Sequence, residues 1–255
     1  MQLQPLEGAV SVPEYEKVAT FYDFLMRHVQ YRPWFEYVHE ILERRVDEPG
    51  EVLEIACGSG RVLEMFCERG WQVWGMDRSR PMLNLAQKRL GTFGNQAKLW
   101  CGDMRNFSVR ENFNAIICLY DSINYCLNES DFIAALRNAG QALKRGGVFI
   151  FDVCTIWNCR ENFRNYSEND EVDGIEFERH TYFNAATGFQ YNDFSIQIND
   201  APYFERHVQK MYPLDEVRRM IHAAEGWRIL GAYTDFTKRP GKENAHRVHF
   251  VLRKR

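Results

Sequence analysis

Short apolar runs alternate with segments of helical period along the first part of the chain. A run at 52–56 follows Pro49-Gly50, and 61–69 carries Val62, Leu63, Met65 and Phe66 at helical spacing until Gly70 stops it. Residues 72–76 form a second run. Its helix opens at Ser79 and Pro81, a capping residue and a first-turn proline. That helix buries Met82, Leu83, Leu85, Ala86 and Leu90 and ends at Gly91. Runs at 97–101 and 115–119 follow, the latter apolar throughout, as expected of a strand covered on both faces. Residues 131–144 predict a helix with Phe132, Ile133, Leu136, Ala139 and Leu143 inward, stopped by Gly146-Gly147. The fifth strand is 148–153. Near the end, a helix from Pro213 turns Leu214, Val217, Met220 and Ile221 inward, and strands at 227–234 and 247–252 close the chain. The pattern predicts an α/β fold with a doubly wound, mostly parallel sheet of seven strands.

Between 157 and 211 the helical period disappears. Stretches at 174–183, 189–198 and 204–211 have β character, separated by turn signals at 184–188 and 199–202. They predict an inserted antiparallel sheet, so that 1–156 with 212–255 form one domain and 157–211 a subdomain. Two helical segments precede the first strand, one carrying Phe21, Tyr22, Leu25 and Met26, the other starting at Pro33 with Trp34, Val38, Ile41 and Leu42. They are placed to close over a ligand.

Composition narrows the classes. Hydrophobic residues at 45% and charged residues at 26% are ordinary for a globular domain. A net charge of −3 offers no global field for nucleic acid or anionic lipid. The insertion is more acidic still: Arg160, Arg164, Arg179, Arg206 and Lys210 are outnumbered by Asp and Glu, which repels phosphates and suits a cationic ligand. The opening residues lack the pattern of a signal peptide, and every apolar run is too short to span a bilayer. Seven scattered cysteines without a C-x-x-C pair argue against zinc and for reduced thiols in a cytoplasmic protein.

Chemistry concentrates at the strand-to-helix turn Glu54-Ile55-Ala56-Cys57-Gly58-Ser59-Gly60. Gly58 and Gly60 allow a sharp turn and a close backbone approach, and the following helix offers free N–H groups to an anionic group such as a carboxylate. A plain tight turn has the same residues. Asp77, after the second strand, can accept two ribose hydroxyls or cap the next helix. Asp103 can accept from an adenine amino group and Met104 can pack on its ring, or the two are a turn acid and a core residue.

These motifs, with Trp74 to Asp77, Cys101 to Met104 and the segment 143–153, resemble the class I S-adenosylmethionine (SAM) dependent methyltransferases. The resemblance implies a Rossmann-like fold, SAM as cofactor and S-adenosylhomocysteine as product. It implies cofactor contacts at Tyr22, Tyr31, Glu54, Ala56, Gly58, Gly60, Arg61, Asp77, Arg78, Met82, Asp103, Met104 and Leu119, and no metal. Ala56 stands where the family usually has glycine, and Leu63 stands where a dinucleotide fingerprint has its third glycine, against an NAD enzyme. Tyr22-Asp23, Tyr31 to Trp34, 118–125 and 205–214 resemble the branch that methylates glycine or sugar amines.

That branch implies a small-molecule acceptor, with an amine favoured, and a monomer or homodimer without nucleic-acid or membrane partners. Methyl transfer from a sulfonium is an in-line displacement that alignment alone can accelerate strongly, so no nucleophilic triad is expected. Asp121 at the end of the fourth strand, and His207 and Tyr212 from the insertion, are candidate acceptor-side groups. Each also has a structural reading, as a loop acid or a core residue. A protein or nucleic-acid methyltransferase and a SAM-binding regulator remain alternatives.

Overall fold

The computed structural model describes residues 3–46, 49–109 and 113–255. Met1 and Gln2 of the opening stretch lie outside them. The chain starts with strand β1 (Val10–Val12), a 3-10 turn (Val18–Phe21), helix α1 (Tyr22–Leu25) and helix α2 (Tyr31–Glu43). Then come β2 (Glu51–Ile55), α3 (Arg61–Glu68), β3 (Gln72–Asp77), α4 (Arg80–Leu90), β4 (Ala97–Cys101) and β5 (Phe113–Cys118). A 3-10 turn (Ser122–Tyr125) leads to α5 (Glu129–Ala142), β6 (Leu143–Cys154) and α6 (Ile156–Asn162). Four strands follow, β7 (Asn165–Val172), β8 (Ile175–Asn184), β9 (Phe189–Ile198) and β10 (Ala201–Lys210). Helix α7 (Leu214–Ala224), β11 (Trp227–Thr234) and β12 (Arg247–Lys254) complete the chain.

The main sheet has seven strands in the order β11-β12-β6-β5-β2-β3-β4. The five strands from β6 to β4 are parallel, and β12 runs antiparallel to both β6 and β11. The predicted doubly wound sheet is therefore present. Its strands carry unbroken buried runs, such as Ala115, Ile116 and Ile117, because helices cover both faces. On one face Phe132, Leu136, Val217 and Ile221 of α5 and α7 pack against Phe149, Phe151 and Phe250. On the other, Phe35, Val38, Leu63 and Phe66 of α2 and α3 pack against Val52, Val73 and Ile150. The chain moves outward from β2 to β4 and returns to β5 on the other side of β2. This reversal places a crevice at the carboxyl ends of β2 and β5, where doubly wound sheets bind ligands.

Local chemistry sets the ends of the helices. Ser79 Oγ accepts the Met82 amide at 3.2 Å, and Asn128 Oδ1 accepts the Asp131 amide at 2.9 Å. With Asn128 as its cap, α5 starts at Glu129 and ends before Leu143, which is already extended. Gly146-Gly147 was expected to stop that helix and instead lies inside β6, with Gly146 at φ 79°.

The second sheet has the order β1-β10-β9-β8-β7, and β7 to β10 are antiparallel. Three of its surroundings differ from expectation. Strand β7 is almost wholly polar, so it lacks an apolar alternation, and its ladder to β8 defines it. Helix α6 is capped by Thr155, whose Oγ1 accepts the Asn158 amide at 3.0 Å. Strand β1 pairs in parallel with β10 and brings the N-terminal segment onto this sheet. Val18, Phe21 and Leu25 then bury themselves against Phe177, Phe194 and Ile196, with Phe21 stacked on Phe177 at 4.4 Å. The first predicted helix is thus only a short turn, held by the inserted sheet. The second starts at Tyr31 and takes Pro33 into its first turn, where the missing N–H is harmless. No helix among the described residues is long and apolar enough to cross a membrane.

Gly75 in β3 is the tightest point beside the crevice. A Cβ there would lie 2.5 Å from Leu99 Cδ2, 2.7 Å from Leu63 Cδ1 and 2.8 Å from Cys57 Sγ. Gly75→Ala is expected to destabilise the protein by about 1–3 kcal/mol in urea denaturation. An unchanged midpoint would show that this packing is looser than described.

Candidate active site

The turn after β2 forces the backbone into the left-handed region three times, at Ala56 (φ 57°), Gly58 (φ 54°) and Gly60 (φ 77°). Alanine is small enough to bear this cost once; the glycines bear none. The turn is pinned from β3. Asp77 Oδ2 accepts the Gly58 amide at 2.9 Å, and Oδ1 accepts the Ser79 amide at 2.8 Å. Each oxygen keeps a second acceptor site. Burial raises the Asp77 carboxyl above the usual range, against the pull of these amides.

Two connected cavities open above this turn. The first, with about 770 Å³ of open space, is lined by Asp77, Arg78, Met82, Asp103 and Met104, and by Tyr15 and Tyr125. The second, about 480 Å³, is lined by Tyr31, Glu54, Arg61, Leu119 and Tyr120. Tyr22, Ala56, Gly58 and Ser122 line both, so the two form one elongated site. Twelve of the thirteen expected cofactor residues border it. Gly60 does not: its Cα faces α4, and a Cβ there would come within 3.1 Å of Ala86 Cβ.

Glu54 is the unusual group in the second cavity. It is 5% exposed, and its Oε2 has no hydrogen-bond partner. Burial pushes its carboxyl well above the normal range, and the nearby Asp77 adds to the rise. A cation at this end would satisfy it. Asp103 differs, because Arg105 chelates it through Nε and Nη2, at 2.9 Å and 2.5 Å, and holds it below the usual range.

The N-terminal segment closes the site. Asp23 of α1 accepts from Ser59 Oγ and Arg61 Nε, each at 3.1 Å, and from Arg89 Nη2 at 2.5 Å. Arg89 also donates to the Ser59 carbonyl at 2.8 Å. Asp23 was visible beside Tyr22; Arg89, inside a predicted helix, gave no signal.

The three acceptor-side candidates fall elsewhere. Asp121 lies outside the cavity lining. Its carboxylate meets Arg247 Nη1 at 3.1 Å and Gln209 Nε2 at 2.7 Å. Arg247 also pairs with buried Asp152, and its guanidinium lies over Trp34 at 4.6 Å and Tyr120 at 5.1 Å. Asp121 thus braces the wall carrying Tyr120. Tyr212 is in the core: its hydroxyl donates to the Cys126 carbonyl at 2.7 Å and its ring packs on Phe132. His207 is buried behind the first cavity, between Glu205 and Tyr125. The sequence reading missed Tyr15, Tyr125 and Glu205 as partners in this region.

Residues 52–147 match the model of a family described as a methyltransferase domain. The chain is 26% identical over 246 residues to a putative methyltransferase, YqeM, of Bacillus subtilis, covering 94% of this chain and 97% of that one. It is 30% identical over 161 residues to an uncharacterized methyltransferase of Geobacillus kaustophilus, covering 60% of this chain and 72% of the relative. The chain belongs to the SAM-dependent methyltransferases. A Streptomyces venezuelae dTDP-3-amino-3,4,6-trideoxy-alpha-D-glucopyranose N,N-dimethyltransferase is 30% identical over 136 residues, 52% of this chain and 56% of that one. Among solved structures, a SAM-dependent methyltransferase of Clostridium acetobutylicum shares the fold with a TM-score of 0.80, at 24% identity over 94% of this chain and 98% of that one.

The site fits the family's cofactor, SAM. It has an acid with spare acceptor sites at one end, an unpartnered buried acid at the other, and a glycine turn between them.

Two outcomes follow for this methyltransferase. Asp77→Ala should weaken SAM binding by about 1–3 kcal/mol by calorimetry, the scale of hydrogen bonds to a charged acceptor; wild-type affinity would remove Asp77 from the site. Glu54 has a raised pKa, and a cationic ligand favours its ionised form. Binding therefore expels a proton, and affinity should rise with pH across the Glu54 titration. Glu54→Gln should bind more weakly with a flatter pH dependence. A wild-type profile parallel to that of the variant would contradict this assignment.

Proposed function

We propose that this methyltransferase binds SAM along both cavities and methylates an amine of a small molecule. The observation that carries the reading is the single elongated site with Asp77 near one end and Glu54 at the other. In this reading Asp77 and Asp103 hold the ribose and adenine, with Arg78, Met82 and Met104 around the ring. Ala56 and Gly58 let the backbone approach, Gly60 seats α3 on α4, and Leu119 faces the adenosyl group. Glu54, Arg61, Tyr31 and Tyr22 hold the amino-acid end.

Bound SAM supplies a methyl group on an electron-poor sulfonium, which an aligned lone pair displaces in line. The protein's part is alignment, exclusion of water and management of the acceptor's proton. Tyr22, which lines both cavities, separates the cofactor's ends and keeps a neutral phenol, because desolvation raises its pKa well above the usual range. Residues 157–211 serve as the acceptor-side cap. Their acidic balance favours an amine over a phosphate-rich polymer, and the amino-sugar relative supports the same class. In this reading Asp121 acts through its ion pair with Arg247, Tyr212 through packing in the core, and His207 through its hydrogen bonds.

The test is thermal unfolding followed by an acceptor panel. S-adenosylhomocysteine should raise the melting temperature by mass action. Among acceptors, dTDP-linked amino sugars and simple primary amines should take the methyl group in preference to hydroxyl analogues and to RNA. No shift at millimolar ligand would contradict the cofactor assignment, and transfer only to RNA or protein would contradict the acceptor class.

A further inference from the structure

Behind the first cavity, a row of polar groups runs into the inserted sheet. Tyr15 and Tyr125 both line the cavity, and their hydroxyl oxygens are 2.8 Å apart. Tyr125 Oη is 3.1 Å from His207 Nδ1, and His207 Nε2 is 2.6 Å from Glu205 Oε1. Glu205 is fully buried and also accepts backbone amides from Tyr15 at 2.6 Å, Lys17 at 2.8 Å and Val18 at 3.1 Å. Three backbone amides thus hold both Glu205 oxygens as acceptors, and the His207 ring takes the remaining side of Oε1.

We propose that Tyr15, Tyr125, His207 and Glu205 form a directional proton relay that takes a proton from an acceptor ammonium in the cavity. The proposal rests on the amine reading above.

The direction follows from the buried end. A carboxylate only accepts, so His207 Nε2 must donate to Glu205. That fixes the tautomer and leaves Nδ1 as an acceptor. Tyr125 then donates to Nδ1, and its oxygen accepts from Tyr15. The Tyr15 oxygen is in turn the acceptor for a proton from the cavity. In the transfer, an N–H bond of the acceptor ammonium breaks and its electron pair stays on nitrogen. The proton joins the Tyr15 oxygen, the Tyr15 proton moves to Tyr125, and the Tyr125 proton moves to Nδ1. The result is an imidazolium beside the Glu205 carboxylate and a free amine lone pair for the methyl group. Once the product has left, the proton returns through the same row to water entering the cavity.

The surroundings suit this. Burial raises both phenols well above their normal range, so each passes a proton as a neutral hydroxyl and neither rests as a phenolate. Other charged groups that act on the two phenols are Glu14 of the N-terminal segment, Asp77 after β3 and Asp121 after β5, all acids. The Tyr15 ring stands edge-on to the His207 ring at 4.4 Å, and Tyr15 has φ 60°. Glu205 pays for that strain by binding the Tyr15 amide, so one carboxylate positions both ends of the row.

Histidine-ring nitrogen NMR on the full chain tests the tautomer, with the His207 signal assigned by its loss in His207→Gln. The result expected is a protonated Nε2 and a bare Nδ1 at neutral pH, with the Nδ1 signal moved in Tyr125→Phe. A protonated Nδ1 would overturn the relay. The second arm uses dTDP-3-amino-3,6-dideoxy-alpha-D-glucopyranose as probe and follows kcat/KM against pH. Tyr125→Phe and Tyr15→Phe should each lose on the order of 10²-fold in kcat/KM near neutral pH and recover at high pH. An equal loss at every pH would overturn the relay, because it would mean a structural role. If the wild type does not methylate the probe, that counts against the acceptor class, and the tautomer decides the relay separately.

Discussion

The turn after β2 is the constraint on which the site depends. Three left-handed residues in five positions are tolerated only because two are glycine, one is alanine, and Asp77 binds the Gly58 amide from the neighbouring strand. That bond joins the ends of β2 and β3 beside the crevice where the winding of the sheet reverses between β2 and β5. It aims the start of α3 at the crevice and holds an acid beside it. The rest of the architecture supports this junction. Gly75 lets the Leu63 and Leu99 side chains close beneath it, and Gly60 lets α3 lie against Ala86 of α4.

Buried acids repeat the same logic at three places, each with a different partner. Asp77 is held by amides and keeps acceptor sites free. Glu54 is left with an unpartnered oxygen, which makes its end of the cavity receptive to a cation. Glu205 accepts three backbone amides and faces the His207 ring, so it anchors the N-terminal segment instead of a ligand. An isolated buried charge is costly, so the number of donors each acid has collected indicates whether it is available to a ligand.

The sequence carried the main sheet and its helices clearly, because buried strands are apolar runs and Ser79 and Gly70 punctuate them. The glycine turn and Asp77 were legible for the same reason: their residue types are forced by backbone geometry. What stayed hidden depends on contacts across the chain. Strand β7 has no apolar face, and β1 exists only through its pairing with Tyr203, Phe204 and Glu205. The bond from the Tyr15 amide to Glu205 spans 190 positions, and no local pattern encodes it. Asp121 occupies the expected end of a strand, yet Arg247 and Gln209 hold its carboxylate outside the cavity lining. Tyr212 follows the inserted sheet as expected, but its aromatic ring was needed in the core.

The N-terminal segment links the two sheets. Strand β1 lies on the inserted sheet, and Asp23 reaches Ser59 and Arg61 at the turn after β2 and Arg89 of α4 in the main-sheet domain. A crystal structure of the complex with S-adenosylhomocysteine tests the account most directly. It should place the ribose hydroxyls on Asp77 and the amino-acid end beside Glu54 and Arg61, beneath Tyr22. A ligand bound in the reverse orientation, or outside the two cavities, would contradict it.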